Sequence, residues 1–281
     1  MAAQRIVWFV WIQLFLNTSD AIMSGGRKLT TSDDATHHPV YDTSNLFVSM
    51  IKLIIHINYC TWTNFAHTDF INIDCGASSG YPDPQTGISY QTNIGFVETG
   101  TNFMVATESR LDIDFPLFGR QLQTLRSFPE GKRNCYTLKL KQAAKNNNYL
   151  VRAFFAYGNY DAKNRSQTFD LYLNVDFWKT VHFNDETSGY EFAEIIHTPT
   201  TDTILVCLVN TGRGIPFISS LELRPLGNSI YLTRSPSQSF LVLDTRVDVG
   251  SIQSTSSLFK RFKDDIYDRV WRVDSIFKDE G

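Results

Sequence analysis

Phe169-Asp-Leu-Tyr-Leu-Asn-Val175 alternates apolar and polar side chains, so Phe169, Leu171, Leu173 and Val175 face one way and Asp170, Tyr172 and Asn174 the other. A helix would scatter the four apolar residues, whereas a strand with one dry face gathers them. The same pattern recurs in Leu111-Asp-Ile-Asp-Phe115 and Tyr136-Thr-Leu-Lys-Leu-Lys141. Residues 149–157 and 204–209 are nearly continuous apolar runs, suited to a sandwich interior. Between these stretches lie Tyr81-Pro-Asp-Pro-Gln-Thr-Gly87, Gly158-Asn-Tyr-Asp161, Gly212-Arg-Gly214 and Pro225-Leu-Gly-Asn228, which supply the Gly, Pro, Asn and Asp of tight reversals. Short strands and such turns predict an all-β sandwich or jelly roll. The one competing helical signal is the i, i+4, i+8 stripe of Phe262, Ile266 and Val270 within 262–273.

A chain of 281 residues with 42% hydrophobic content supports one large core or two small ones. A formal charge of -3 gives no basic footprint, so nucleic acid is not expected as a partner. The aromatic content of 14% suits a β-sheet core, a sugar-stacking surface, or both.

The amino terminus carries Arg5 and then Ile6-Val-Trp-Phe-Val-Trp-Ile-Gln-Leu-Phe-Leu16, with small residues at Ala21 and Ser24. Residues 1–24 therefore read as a secretory signal peptide, too short in its apolar part to span a bilayer as a helix. Residues 25–69 read as a polar linker followed by a second short apolar stretch, 46–57, interrupted by Lys52 and His56. Secretion permits disulfides. Of the four cysteines, Cys60 lies in that upstream region, and Cys75, Cys135 and Cys207 lie beyond it. Cys207, within the apolar run 204–209, reads as a buried free thiol.

Catalytic readings gain little support. Gly76-Ala-Ser-Ser-Gly80 fits the short pattern of a hydrolase nucleophile elbow, but the Pro-rich residues that follow cannot start the helix such an elbow requires. Asp74, Asp112, Asp114 and Asp161 read as exposed carboxylates, and a glycosidase pair among them would need a defined separation that sequence cannot supply. The motifs of a kinase phosphate loop, catalytic loop and metal-binding Asp-Phe-Gly are absent from the sequence, the six histidines are scattered, and neither metal nor cofactor is implied.

Five further stretches occur in a telling order after Phe70-Ile-Asn-Ile-Asp-Cys-Gly76. They are Arg133-Asn-Cys-Tyr-Thr-Leu138, Tyr157-Gly-Asn-Tyr-Asp161, Val206-Cys-Leu-Val-Asn-Thr-Gly212, Pro216-Phe-Ile-Ser-Ser-Leu-Glu-Leu-Arg224 and Asp264-Asp-Ile-Tyr-Asp-Arg-Val-Trp271. The series resembles the malectin-like extracellular domain of plant leucine-rich-repeat receptor-like kinases. That resemblance implies a malectin-like jelly-roll β-sandwich over 70–226 and, over 227–281, the truncated start of a second sandwich.

The resemblance further implies a non-catalytic recognition module, reached through the secretory pathway and either secreted or held at the extracellular face of the plasma membrane. Membrane association would come through the parent receptor or an uncleaved leader. The partners it implies are a carbohydrate such as a cell-wall glycan, or a peptide, with a co-receptor kinase. Tyr81, Tyr90, Tyr157, Asn159, Tyr160 and Asp161 mix flat rings with hydrogen-bonding groups and are the candidate ligand-binding residues. The alternative for Tyr157–Asp161 is a purely structural turn. Asn164-Arg-Ser166 is a glycosylation sequon placed in a loop. Two other readings stand beside the receptor module: a non-functional fragment of a receptor gene, and a carbohydrate-active enzyme.

Overall fold

The computed structural model describes residues 70–84, 86–107, 119–140, 147–184, 189–226, 230–231, 240–249 and 259–274. The expected leader at 1–24, the segment 25–69, the strand at Leu111–Phe115 and the carboxylates Asp112 and Asp114 lie outside the described residues.

The strands are β1 (Ile71–Asp74), β2 (Tyr81–Pro82), β3 (Ser89–Tyr90), β4 (Thr101–Met104), β5 (Thr124–Ser127) and β6 (Arg133–Lys139), then β7 (Asn148–Ala156), β8 (Gln167–Leu173) and β9 (Asp176–Phe183). They continue with β10 (Tyr190–His197), β11 (Thr203–Arg213), β12 (Phe217–Ile218), β13 (Ser220–Leu226), β14 (Phe240–Val242), β15 (Val247–Val249), β16 (Phe259–Lys260) and β17 (Trp271–Asp274). The all-β expectation is met. A five-stranded sheet in the order β1-β13-β7-β10-β14 and a four-stranded sheet in the order β6-β11-β8-β9 form the sandwich. Their inner faces share one core, with Ile73, Val151, Phe155, Ile195 and Leu221 from the first and Tyr136, Leu138, Phe169, Leu171 and Val206 from the second. Smaller sheets, β12-β5-β4, β15-β17-β16 and β2-β3, flank it.

Strand β8 follows the expected alternation as far as Leu173, with Phe169, Leu171 and Leu173 buried. Val175 departs from it: the chain has already turned, and Val175 is 82% exposed. All nine residues of β7 are buried. Its inner face meets the four-stranded sheet, while its outer face is covered by the segment 259–270, where Val270 joins Leu122, Phe154 and Ala156 in a second apolar cluster. Strand β13 runs through Pro225 to Leu226, so the chain does not reverse at Pro225; Gly227 and Asn228 lie outside the described residues.

Two expectations are corrected. Cys207 is not a free thiol: β6 and β11 pair with Cys135 directly opposite Cys207, and the two form a disulfide, leaving Cys75 buried and free. The helix over 262–273 is not formed. Asp268 accepts the Phe262 N–H at 3.1 Å and Asp265 accepts the Tyr267 N–H at 2.9 Å, so side-chain turns replace helical bonding before Trp271 enters β17.

Candidate functional site

At one end of the sandwich the chain leaves β7 through Tyr157-Gly158-Asn159-Tyr160-Asp161. The turn needs left-handed backbone at Gly158 and Asn159, with φ of 49° and 47°. A Cβ on Gly158 would fall 2.5 Å from the Val105 Cβ, so the glycine also permits close packing. Tyr157 is fully buried, donates its hydroxyl to Asp161 Oδ1 at 2.7 Å, and stacks edge-on with Tyr160. The Tyr160 hydroxyl lies 2.7 Å from Ser127 Oγ. Phe217 of β12 is the hub beneath, touching Phe155, Tyr157, Tyr160, Phe169 and Phe183. Burial, then the bond to Asp161, raises the Tyr157 phenol, and burial pushes Tyr160 up to about 12.

Phe103 of β4 lies 5.1 Å from the Tyr160 ring and is 38% exposed. Asn159 and Tyr160 are half-buried, and Asn159 Oδ1 accepts the Asn164 N–H at 2.8 Å. The second carboxylate oxygen of Asp161 is buried with no hydrogen-bond donor among the described residues. Phe103 was not among the residues picked from sequence, because its proximity to Tyr160 depends on β4 pairing with β5.

Tyr81 and Tyr90 form a second group. They pair across β2 and β3 with stacked rings 5.6 Å apart. Tyr90 is 3% exposed and gives its hydroxyl to Glu222, so its ring offers no face to solvent; Tyr81 is half-buried beneath the Arg120 guanidinium. Asp74 is corrected from exposed to fully buried. Its carboxylate accepts Tyr81 Oη at 2.8 Å, Thr124 Oγ1 at 2.6 Å and the N–H groups of Gly76 and Ala77 at 3.2 and 3.0 Å. Burial raises the Asp74 carboxyl despite these bonds. Gly76 to Gly80 is a turn without a following helix, the wrong geometry for a nucleophile elbow.

An unforeseen feature lies on the outer face of the five-stranded sheet. Glu222, Arg152 and Glu194 are directly opposed across β13, β7 and β10. Arg152 reaches Glu194 at 2.6 Å and Glu222 at 2.7 Å; Arg224 and Arg261 reach Asp268 at 2.7 Å each; Arg246 reaches Glu194 at 2.8 Å. Burial alone would raise Glu222, but Arg261, Arg224 and Arg152 outweigh it and hold the carboxyl at about 2. The same guanidiniums hold Asp268 well below the usual carboxylate range against its burial. Single charged residues in separate strands carry no sequence signal of being one cluster.

The malectin-like domain family matches residues 73–280. The chain belongs to that family. Arabidopsis thaliana "Probable LRR receptor-like serine/threonine-protein kinase At1g05700" is 44% identical over 204 residues, 72% of this chain and 22% of its own length. "Receptor-like protein kinase At3g21340" of the same organism is 42% identical over 207 residues, 72% of this chain and 21% of its own length. The chain thus spans about a fifth of these relatives. Among solved structures, the plant receptor-like kinase FER superposes with a TM-score of 0.55 at 16% identity, covering 73% of this chain and 54% of that one. A crystal structure of the plant peptide RALF23 in complex with FER and LLG2 gives 0.53 at 16% identity, covering 75% and 55%.

Within this malectin-like sandwich the loop-end group of Phe103, Tyr160 and Asp161 is preorganised: a partly exposed ring and an acceptor without a donor sit on a rigid core. The buried ion cluster, by contrast, is sealed from solvent and acts on the architecture.

Proposed function

We propose that the chain is a non-catalytic recognition module from the outward-facing part of a receptor-like kinase, reached through the secretory pathway, whose loop end takes a hydroxyl-bearing glycan. Residues 70–226 form all but one strand of the recognition sandwich in this reading, and 227–281, which adds β14 to the five-stranded sheet and closes on it through Arg261 and Asp268, opens a second module. The observation that carries the ligand class is the partly exposed Phe103 ring 5.1 Å from Tyr160, in a turn where Asp161 keeps one buried carboxylate oxygen without a donor among the described residues, an apolar face and an acceptor of the kinds a sugar engages.

A second reading, a peptide held jointly with a co-receptor, is favoured by the RALF23 complex of FER with LLG2. Calorimetric titration of the secreted chain with cellotetraose and maltotetraose separates the two. Saturable binding without turnover, weakened about tenfold or more by Asp161→Asn, supports the glycan reading. Absence of binding to either sugar overturns it, and turnover of either sugar overturns the non-catalytic assignment.

A further inference from the structure

Strand β10 is paired on both sides for only half its length. β7 accompanies it from Tyr190 to His197, but β14 pairs only with Ile195–His197, after which the Leu243 N–H takes the Glu194 carbonyl at 3.1 Å and the chain turns away. Antiparallel strands direct the backbone groups of successive residues to alternate sides, so the next groups on that open side belong to Phe192. The Phe192 carbonyl is met there by Lys179 Nζ at 3.3 Å, a long bond from a lysine that also pairs with Glu191 at 2.9 Å. This edge floors a groove of about 460 Å³, walled by Trp178, Lys179, Glu191, Val242 and Asp244.

Two features of the groove call for an occupant. Trp178 is 4% exposed, and its indole N–H has no acceptor among the described residues. A buried donor in that state carries a desolvation penalty that an acceptor reaching it from the groove would remove. The charges are also unbalanced: Lys179 is engaged by Glu191, and Glu194 by Arg152 and Arg246, while the exposed Asp244 has no ion pair among the described residues. The burial of the Trp178 ring removes the flat face that a sugar would need.

We infer that this groove takes an extended basic peptide segment as an added strand along β10. Main-chain bonds form to Phe192 once Lys179 swings aside, apolar residues pack against Val242, and a Lys or Arg lies against Asp244. The inference rests on the recognition-module reading and is independent of the ligand taken at the loop end.

The test uses the full secreted chain with a ten-residue Val-Lys repeat peptide, a Val-Glu repeat as control, and amide hydrogen exchange to locate binding. The expected result is saturable binding of the basic peptide, at least about fivefold tighter than the acidic one, with slowed exchange at 190–193 and 242–244. Asp244→Lys, a solvent-facing change that leaves the fold intact, is expected to weaken it about fivefold. Equal binding of both peptides, an unaffected D244K variant or no binding overturns the groove assignment. Protection confined to 101–104 and 157–161 also overturns it while leaving the recognition module standing, which the oligosaccharide titration tests separately.

Discussion

Arg152 and Glu222 face one another across β7 and β13 at 2.7 Å, both side chains fully withdrawn from solvent. Removing one member of such a cluster strands the others without compensation. Arg152→Met keeps most of the apolar stem but leaves Glu194 and Glu222 short of a partner, and is expected to lower unfolding free energy by about 3–5 kcal/mol. Urea denaturation followed by tryptophan fluorescence measures this, and a loss below about 1 kcal/mol would show that the cluster contributes little.

Acid should act on the same cluster. Glu222 is depressed from 4.5 to about 2 and Asp268 lies well below 3.8, so their contribution is fully present above pH 4.5 and is lost as pH falls toward 2. Glu222 alone accounts for about 3 kcal/mol by linkage, as an order of magnitude. Asp74 has the opposite sign, because its raised carboxyl takes up a proton more readily in the folded chain and so gains stability as pH drops toward 3.8. The expected profile has its steep loss between pH 4.5 and 2; a stability independent of pH in that window would contradict the buried ion pairs.

The Cys135–Cys207 bridge closes a separation of 72 residues, and its removal as Cys135→Ala with Cys207→Ala is expected to cost about 2–4 kcal/mol. Cys75 is buried, and its thiol is pushed up by that burial. A maleimide should therefore leave Cys75 unlabelled in the folded protein and label it in urea. Rapid labelling under native conditions would place Cys75 at the surface instead.

Gly76 sits where β1 ends against β5. A Cβ there would lie 2.4 Å from the Leu125 backbone nitrogen, which cannot move without breaking the sheet. Gly76→Ala is expected to destabilise by about 1–3 kcal/mol, read as a drop in thermal midpoint. An unchanged midpoint would mean that β5 can shift freely.

Asn164 is exposed in the turn before β8. Expression through a secretory pathway is expected to add a glycan there, removed by Asn164→Gln and visible as a mass difference after endoglycosidase treatment. An identical mass with and without the enzyme would leave the sequon unused.

The sandwich was legible because alternation in β8 and the apolar run of β7 report burial locally. What escaped depends on contacts distant in the chain. Cys135 meets Cys207 only through the β6–β11 register, and Phe103 meets Tyr160 only once β4 has paired. The stripe of Phe262, Ile266 and Val270 imitated a helix, but Asp265 and Asp268 bind the local backbone, and Ile266 ends 51% exposed while Val270 is buried. Of the candidate site, the Tyr157–Asp161 turn could be read from its residue types, but the burial of Tyr90 against Glu222, from a strand far along the chain, could not.

The row of charges across β13, β7 and β10 also proofreads assembly. Were β7 to slip by one position, Arg152 would swing to the inner face among Phe155 and Leu171, and the carboxylates of Glu222 and Glu194 would confront apolar neighbours. Only the correct alignment presents a surface onto which Arg261 and Asp268 can close, so the segment 259–270 finds its seat on a sheet in that register and none on one that has slipped.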